Sequence, residues 1–454
     1  MSLLEKASII KIYLKNLKKS ILDLPRFLQK GGRFLRKSIH YINKTDIFII
    51  LVLLILIIVP LMVNTFPKAE PESKQVHIYL SPNCEDIFGT RLMEELLLEF
   101  EEKYPDIRLR MAYDTTASVP AENRIEPHIL FFDGDYSIFT AENALLELNS
   151  FTNYDSGAQQ LAIPLVSFMD MLFYNIDILT AAGFDHPPKT REEFTAYARA
   201  VSRGDHNAAG AAISLGSNDN HALSRDIFSW IWTAGGNFWA NGEKPSLNTR
   251  AITNDIAFLG TLNRDKLLAP DIFETTGAQR LEEFAEGKTA MMIASTQAIP
   301  FLREKMGDGA FGITTVPSAG TGGRYAIGIS AIYIGISANA DHPDEAWNFL
   351  AFLAAKSHDL CAELKAVPGM VSNIIPGDYV QDDVFYSKAW DIFAASDIAE
   401  SFSGKPNAQK YEEAFLEEFR VFLEEGRTAQ ITVNEIQKRW DEISNGNDEE
   451  EIAD

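Results

Sequence analysis

The sequence predicts an α/β fold, because strand-like and helix-like segments alternate along the folded part of its 454 residues. That part opens with a strand over 75–81, continues with an amphipathic helix over 91–105, and returns to strands over 107–113 and 128–133. Such alternation is typical of a parallel sheet with helices on both faces, whose ligands bind at the carboxyl ends of the strands. At roughly 150 residues per domain, the length predicts two or three folded units.

The later elements are dominated by helices. A long mixed run over 161–177 is followed by helical segments over 191–202, 222–233, 251–263, 278–286, 297–305 and 344–357. Strand character returns over 288–295, 310–320 and 325–337. The last 60 residues are mostly helical, and the acidic stretch 446–454 is predicted to be disordered.

The charge is divided unevenly along the chain. Residues 1–46 carry eleven Lys and Arg against three Asp and Glu, whereas the whole chain has a net charge of -23. The remainder is therefore strongly acidic and would repel a phosphate backbone, so we expect no nucleic-acid partner. The basic segment is either an amphipathic helix on an anionic membrane surface or a solvated tail.

Residues 47–66 are predicted to form a transmembrane helix. The stretch 47–63 is apolar and uncharged, and at ~1.5 Å rise per residue its length just crosses a bilayer. The basic flank predicts that 1–46 is cytoplasmic and that the folded part lies outside the cell membrane, beyond a polar linker over 67–75. A cleaved signal is the alternative, although no small-residue cleavage site follows. A lipoprotein would need a cysteine directly after the apolar stretch, and the first cysteine is Cys84.

Sequence patterns of catalysis and metal binding are missing from the chain. The eight histidines are scattered without zinc-ligand spacing, and Asp219 and His221 are typical residues of a polar loop. No G-x-S-x-G, H-E-x-x-H or Walker motif occurs. Cys84 and Cys361 are interpreted as two independent thiols, since nothing in the sequence brings them within bridging range. We therefore expect no cofactor, no metal and no catalytic residue.

Six stretches carry a family resemblance. They are LLLEFEEKYPDIRL (96–109), EPHILFFDGDYSIFTAENALLELNSF (126–151), LFYNIDILTAAGFDHPPKTREEF (172–194), FAEGKTAMMIASTQAIPFL (284–302), FGITTVPSAG (311–320) and HPDEAWNFLAFLAA (342–355). In this order and spacing they resemble the family 1 extracellular solute-binding proteins, the maltose-binding-protein-like sugar receptors of ABC importers. The resemblance covers about 76–380 and implies a receptor, not an enzyme, that delivers a small solute to an ABC permease.

The resemblance also implies a type II periplasmic-binding-protein-like fold, in which two α/β lobes close on a ligand. Lobe 1 would comprise 76–165 and 318–366, and lobe 2 would comprise 170–312 and 368–445. Prolines lie near the three implied crossings between the lobes: Pro164, Pro317 and Pro368.

The stretch LFYNIDILTAAGFDHPPKTREEF (172–194) is explained by local structure. Asn175 would end a strand, and Gly183 would cap a short helix in a left-handed conformation before a turn stiffened by two prolines. Thr190 and Glu193 would form a capping box at the next helix. The stretch therefore predicts scaffold, not a binding site.

Sugar sites combine aromatic platforms with carboxylates and amides. After the first strand, the candidate ligand contacts are Asn83 and Glu85, for which a simple Asx-turn is the alternative. After the third strand, the resemblance implies an aromatic contact at Phe132 and a carboxylate contact at Asp135, beside a further candidate at Tyr136. A turn with a helix cap is the alternative there.

Four later residues complete the predicted ligand site: Phe168, Asp170, Trp232 and Gln297. Phe168 occupies a position that is often acidic in the family, and Asp170 follows on the same strand face. Of two tryptophans in a predicted helix, Trp230 is assigned to the core and Trp232 to ligand stacking. Gln297 stands where a tryptophan stacks on sugar in a maltose receptor of the family. These departures favour a smaller or differently shaped ligand.

The sequence is thus interpreted as a membrane-tethered extracytoplasmic receptor that captures a small solute, of the carbohydrate class, by lobe closure. Two alternatives stay open. A sensory or structural version of the fold would pass its ligand state through 47–66 to a partner of 1–46. An extracytoplasmic carbohydrate hydrolase would need paired carboxylates, and spacing cannot identify such a pair among 64 acidic residues.

Overall fold

The computed structural model describes most of the chain between Ser73 and Gly446. The described ranges are 73–112, 126–133, 144–151, 161–204, 206–216, 221–239, 242, 244–247, 249–319, 326–368, 380, 382–402 and 405–446. The predicted cytoplasmic segment (1–46) and transmembrane helix (47–66) lie outside these ranges, as do residues 67–72 of the linker and 447–454 of the acidic tail. Within the described ranges, no helix is both long and apolar enough to span a membrane.

The described strands form one large sheet and one small strand pair. They are β1 (Lys74–Leu80), β2 (Ile107–Met111), β3 (Ile129–Asp133), β4 (Ala162–Asn175), β5 (Met291–Ser295), β6 (Phe311–Thr314), β7 (Ala326–Ile327), β8 (Ile329–Ile336), β9 (Val367–Pro368) and β10 (Asp397–Ile398). The large sheet has the order β2-β1-β3-β8-β4-β5, and β6 and β9 also pair with β4. The small pair consists of β7 and β10, which run parallel.

The large sheet is mixed, so the prediction of a parallel sheet was wrong for its second half. β1 runs parallel to β2 and β3, as expected. β8 is antiparallel to β3 and β4, and β4 is antiparallel to β5 and β6. β8 runs antiparallel because of the path of the chain. After β4 the chain leaves the half of the sheet formed by β1, β2 and β3, and β8 brings it back between β3 and β4. As a result, β3 and β4 point in the same direction.

Helices pack against both parts of the sheet. They are α1 (Pro82–Lys103), α2 (Ile176–Ala181), α3 (Arg191–Arg203), α4 (Ser229–Thr233), α5 (Arg250–Arg264), α6 (Gly277–Ala285), α7 (Ala298–Met306), α8 (Pro343–Ala355), α9 (Ser357–Leu364), α10 (Val384–Ala395), α11 (Ala408–Glu425) and α12 (Ala429–Ser444). A 3₁₀ turn covers Leu148–Ser150, and a π-helical turn covers Ser224–Phe228 directly before α4.

Two helices differ from their predictions. Before the helix predicted over 91–105, α1 has an additional segment that begins at Pro82, where the hydroxyl of Ser81 caps it by accepting a hydrogen bond from the N–H of Cys84 at 3.4 Å. The helix then bends at Gly89, where φ is 62° and ψ is 160°. The helix predicted over 222–233 is interrupted by the π-helical turn. Sequence periodicity alone does not reveal either feature.

Strand β4 joins two separate hydrophobic cores. The first core is built on β1, β2, β3, α1 and α8, and it includes Phe168 of β4. Beyond Phe168 the side chains of β4 alternate between two other clusters, one on each face of the sheet, which together form the second core. Met169, Met171 and Phe173 pack on one face of the sheet, and Leu172 packs on the other. This alternation is expected of a strand whose two faces are both covered.

The chain passes between these cores at three places. They are Phe168 to Met169, Ile329 to Ile332, and Ala366 to Val367. The second passage differs from the predicted division, which assigned 318–366 to lobe 1. Ile327 and Ile329 still pack against the second core, because β7 pairs with β10 and not with the first half of the sheet. The other bounds of the two lobes stay predictions.

The scaffold stretch around Gly183 forms the predicted turns and caps. Asn175 ends β4 and caps α2 through its side-chain oxygen, and Gly183 has a φ of 95°, in the region that glycine tolerates best. Thr190 caps α3 by accepting the N–H of Glu193 at 3.2 Å. The capping box differs in one bond, because the carboxylate of Glu193 accepts the N–H of Lys189, at 2.7 Å, instead of that of Thr190.

Candidate functional site

Asp170 lies where β4 exchanges its neighbours. Up to Met169, β4 pairs with β8, and from Asp170 onward it pairs with β5. The N–H of Asp170 donates to the carbonyl oxygen of Gly328, between β7 and β8, at 3.0 Å. The Asp170 side chain is 0% exposed. A fully buried carboxylate is costly unless it is partnered, so its contacts define the candidate site.

His221 is the partner of this carboxylate. Its Nε2 lies 2.8 Å from Oδ2 of Asp170, although the two residues are 51 positions apart. A histidine beside a carboxylate donates a hydrogen bond, which is charge-assisted when the ring is protonated. The sequence identified His221 as an ordinary loop residue, because no local pattern indicates a contact with so distant a strand. His221 is therefore a residue of the site that sequence reasoning missed.

A close approach at Gly328 brings three side chains into one region. A Cβ at this position would lie 2.7 Å from Oδ2 of Asp170, 3.0 Å from Cζ3 of Trp232 and 3.3 Å from Oγ of Ser229. The first of these distances is shorter than real Cβ contacts, so a larger residue at this position would force the Asp170 carboxylate or the backbone to shift. Asp170, Trp232 and Ser229 therefore surround the backbone of Gly328.

Trp232 contributes a buried indole to this region. The side chain is 2% exposed and packs edge-on against Phe228 and Phe238. Its Nε1 has no hydrogen-bond partner among the described residues, and neither does Oδ1 of Asp170. Buried polar atoms in folded proteins are nearly always hydrogen-bonded to protein or water, so each of these two atoms needs a partner that the described residues do not supply. Trp230 is also buried, as predicted for a core residue.

The π-helical turn Ser224–Phe228 fixes the start of α4. The hydroxyl of Ser229 donates back to the carbonyl of Ser224 at 3.3 Å. Within the turn, Asp226 accepts hydrogen bonds from the N–H and hydroxyl of Ser214 and from the guanidinium of Arg225. Burial raises the pKa of Asp226, against the opposing effect of Arg225. π-helical turns are frequent at functional sites, and this one positions Ser229 beside Gly328.

Gln297 lies just beyond the end of β5, the strand that pairs with β4 from Asp170 onward. It precedes α7 and comes two residues after Ser295, which is the register partner of Asp170 on β5. Its N–H donates to the hydroxyl of Ser295 at 3.3 Å. Its side-chain Nε2 is buried and has no hydrogen-bond partner within the described part of the chain. Gln297 therefore stays a candidate ligand contact.

Two predicted aromatic contacts pack in hydrophobic clusters. Phe168 is 2% exposed and belongs to the first core. Phe132 is 3% exposed and stacks on its register partner Tyr333, with ring centroids 5.9 Å apart. Both side chains are buried against protein, and as ligand contacts they stay predictions.

The remaining predicted contacts follow β1 and β3. Glu85 is exposed in the first turn of α1, and Asn83 belongs to the same turn instead of the expected loop. Asp135 and Tyr136 lie outside the described residues, so they stay predictions. The site as described therefore consists of Asp170 with its neighbours on β5, the π-helical turn and α4.

The chemistry of the site is that of hydrogen bonding beside an aromatic ring. Among the described residues, a carboxylate oxygen and an indole N–H are buried without hydrogen-bond partners; the hydroxyl of Ser229 lies at the same glycine, and Gln297 comes two residues after the register partner of Asp170. Small-solute sites typically combine an apolar wall with a few such polar groups. Across the described residues, no group of His, Cys, Asp and Glu is arranged to hold a metal ion.

Comparison with known proteins identifies one family. The family model for the bacterial extracellular solute-binding protein matches residues 89–358. A "probable ABC transporter-binding protein" of Deinococcus radiodurans is 22% identical over 253 residues, which is 53% of this chain and 59% of that protein. The match thus spans little more than half the length of that relative.

Solved structures share the fold at low sequence identity. An ABC substrate-binding protein of Listeria monocytogenes, in complex with cycloalternan, is 15% identical and has a TM-score of 0.62 over 82% of this chain and 99% of that one. The maltose-bound MalE3 of T. maritima is 16% identical and has a TM-score of 0.64 over 82% of this chain and 100% of that one. These similarities confirm the predicted α/β fold of the two-lobed, periplasmic-binding-protein-like type.

Proposed function

Because the chain belongs to the bacterial extracellular solute-binding proteins, we propose that it captures a small solute of the carbohydrate class at Asp170 and delivers it to an ABC permease. The family consists of binding proteins and not of enzymes, which confirms the expectation that the chain is not an enzyme. The hydrolase alternative is therefore dropped. The family is also extracellular, so the folded part functions outside the cytoplasm.

The observation that carries the proposal is the position of Asp170 between the two cores. Its buried carboxylate lies on the strand that joins them, at the residue where that strand changes partners. Because β4 passes from one core to the next beside Asp170, a ligand bound there lies next to the passage between the lobes, and we propose that the lobes close over it. We retain the predicted lobe division as part of this proposal, with the second crossing moved to β8.

A carbohydrate ligand is supported by the chemistry of the site. Asp170, Ser229 and Gln297 offer acceptors and donors, and Trp232 offers an aromatic ring. Sugars present hydroxyls and apolar C–H faces that match such groups. Two of the structures with the same fold contain cycloalternan and maltose. The phenylalanine at 168 and the glutamine at 297 favour a ligand of different shape from maltose.

We further propose that residues 47–66 anchor the protein in the cell membrane, with 1–46 in the cytoplasm. The seventeen uncharged apolar residues over 47–63 and the basic flank support this arrangement. The same basic segment supports a second candidate function, in which ligand binding outside is signalled to a lipid or protein partner inside. Deletion of 1–46 would then abolish signalling and leave ligand binding intact.

The first experiment measures thermal unfolding of the full chain in detergent against glucose, tagatose, maltose, longer oligosaccharides, polyols and glycerol phosphates. A ligand that binds only the native state, at a hundred times its Kd, stabilises it by about 2.7 kcal/mol and raises the midpoint. We expect one sugar to do so without being chemically converted. If no compound raises the midpoint, the carbohydrate assignment is wrong. Loss of uptake of that sugar in cells without the chain would test delivery to a permease.

A further inference from the structure

The two carboxylate oxygens of Asp170 have different surroundings. Oδ2 lies 2.8 Å from Nε2 of His221 and close above the backbone of Gly328. Oδ1 is buried and has no hydrogen-bond partner among the residues that the structure describes. His221 therefore holds one oxygen and leaves the other available as an acceptor.

The indole of Trp232 offers the complementary donor. Its benzene ring edge, at Cζ3, approaches the same glycine that Oδ2 of Asp170 approaches. Its N–H is buried and, within the described ranges, has no acceptor. An indole N–H can only donate, so it needs an oxygen opposite it. Among the described residues, one acceptor and one donor without hydrogen-bond partners thus occur on two side chains that both approach Gly328.

We propose that Oδ1 of Asp170 and Nε1 of Trp232 bind hydroxyl groups of the solute, and that His221 is a positioning residue that fixes the Asp170 carboxylate for this contact. This inference rests on the proposed function and adds His221 to the site. Asp170 accepts a hydrogen bond from a solute hydroxyl, Trp232 donates one to a solute oxygen, and His221 acts on the solute through the carboxylate.

Hydroxyl groups fit this pair better than charged groups do. An ammonium group could donate to Asp170 but could not accept from the indole. A carboxylate ligand could accept from the indole, but it would meet the negative charge of Asp170 in a buried setting, where like charges repel strongly. A hydroxyl donates and accepts, so it satisfies both atoms without adding charge. The pair therefore selects neutral polyhydroxy compounds.

His221 matters because the contact depends on the orientation of the carboxylate. A buried carboxylate keeps its orientation when one of its oxygens is hydrogen-bonded to a neighbouring residue. A carboxylate without such a hydrogen bond can rotate about its Cβ–Cγ bond and present either oxygen to the solute. A side chain that contacts a ligand binds it much less strongly when no neighbouring residue holds that side chain in place. His221 is about one-fifth exposed (19%), so it can be replaced without leaving a large cavity.

The experiment uses the full chain in nanodiscs with the ¹⁵N-labelled indoles of its tryptophans. Glucose, tagatose, maltose and sorbitol are titrated by calorimetry and by NMR, and the Trp232 signal is assigned by its loss in Trp232→Phe. We expect a bound compound to shift this signal. Asp170→Asn and His221→Ala should each weaken its binding about tenfold or more, as expected for a hydrogen bond to a charged group.

His221→Gln and His358→Ala are the matched variants. The amide of glutamine can still donate to Oδ2, so His221→Gln should regain most of the affinity, which a merely structural role would not produce. His358 is exposed on α9, and its replacement should change nothing. Unfolding without ligand shows whether each variant is folded, and the near-isosteric Asp170→Asn keeps the test valid if His221→Ala is unstable.

The outcomes separate this inference from the proposed function. If a compound binds but leaves the Trp232 signal in place, or binds equally to Asp170→Asn and His221→Ala, the inference is overturned and the proposed function stands. If none of the four compounds or the wider panel binds, the carbohydrate function and the inference are both overturned.

Discussion

His77 and His128 stack on each other, with ring centroids 5.3 Å apart and an angle of 23° between the ring planes. The N–H of His77 also donates to Nδ1 of His128 at 2.9 Å. A third ring, that of His342, stacks on His128 at 6.0 Å. His77 lies on β1, His128 directly precedes β3, and His342 directly precedes α8. The three imidazoles therefore tie three elements of the first core together.

This stack predicts that acid destabilises the protein. Burial lowers the pKa of His77, as does the charge of Arg110, and burial lowers the pKa of His128, as do the charges of His77 and His342. Asp341 acts on His128 in the opposite sense, and Glu345 lies near His342. Since the unfolded histidines bind protons near pH 6.5 and the folded ones do so only at lower pH, stability declines as pH falls below about 6.5.

Urea unfolding at pH 7.5, 6.5 and 5.5 checks this expectation. The free energy of unfolding should be lower at pH 5.5 than at pH 7.5, and His128→Asn should reduce that difference, because an amide can accept the N–H of His77 without titrating. His358→Asn, at an exposed position, is the control. An unchanged difference in His128→Asn would show that the stack is not the origin of the acid sensitivity.

Arg191 and Asp255 form a buried ion pair that we predict to be important for stability. Nη1 of Arg191 lies 2.6 Å from Oδ1 of Asp255, and their side chains are 6% and 3% exposed. Arg191 also donates to the carbonyl of Trp230 in α4, two residues before Trp232. Burial raises the pKa of Asp255, against the effect of Arg191, so each charge depends on the other.

Asp255→Ala should therefore lower the free energy of unfolding by about 3–5 kcal/mol, because it leaves a buried guanidinium without its counter-ion. The matched control is Asp265→Ala, which removes the more exposed ion pair with Arg199, and it should cost less than about 1 kcal/mol. Urea denaturation measures both. Equal effects of the two substitutions would contradict the role of burial.

The two cysteines should be unreactive in the native protein. Cys84 and Cys361 are 0% and 2% exposed, and they form no disulfide with each other, as predicted. Burial raises the pKa of Cys361 to about 12, so almost none of this thiol is present as the reactive thiolate at neutral pH. We expect a thiol reagent such as DTNB to label neither cysteine until guanidinium is added, when both should react. Rapid labelling of the native chain would contradict the described burial.

The sequence predicted those features that depend on neighbours along the chain. Asn175, Gly183 and Thr190 have the caps and the turn expected of their residue types, because a cap is made with an N–H only two or three residues away. The strand and helix order was also predictable, since hydrophobic periodicity is a local signal. The orientation of β8 was not, because it depends on which core the chain returns to.

The contacts of the candidate site could be predicted only in part. Asp170 and Trp232 were proposed as ligand contacts, but their common neighbour Gly328 and the partner His221 come from distant parts of the chain. Phe168 was placed on the same face as Asp170 by strand alternation. The two residues nevertheless belong to different surroundings, because the chain passes from one core to the next between them.

The backbone of Gly328 lies close to both Asp170 and Trp232, so we predict that a larger residue at this position disturbs the site. In Gly328→Ala, the new Cβ would lie 2.7 Å from Oδ2 of Asp170, the oxygen that His221 contacts, so we expect the carboxylate to shift from its present position. We expect sugar affinity to fall about tenfold or more and the free energy of unfolding to fall by about 1–3 kcal/mol, as is typical of overpacking. Calorimetry with the sugar identified by thermal unfolding measures the first effect.

Gly309→Ala is the matched control for this substitution. A Cβ at Gly309 would meet no atom within 4 Å, so that variant should bind and unfold like the original protein. If Gly328→Ala also binds sugar normally, the ligand does not depend on the geometry of Asp170 and the site must lie elsewhere. If it loses binding while Gly309→Ala does not, the ligand depends on the arrangement of Asp170, Trp232 and Ser229 around Gly328.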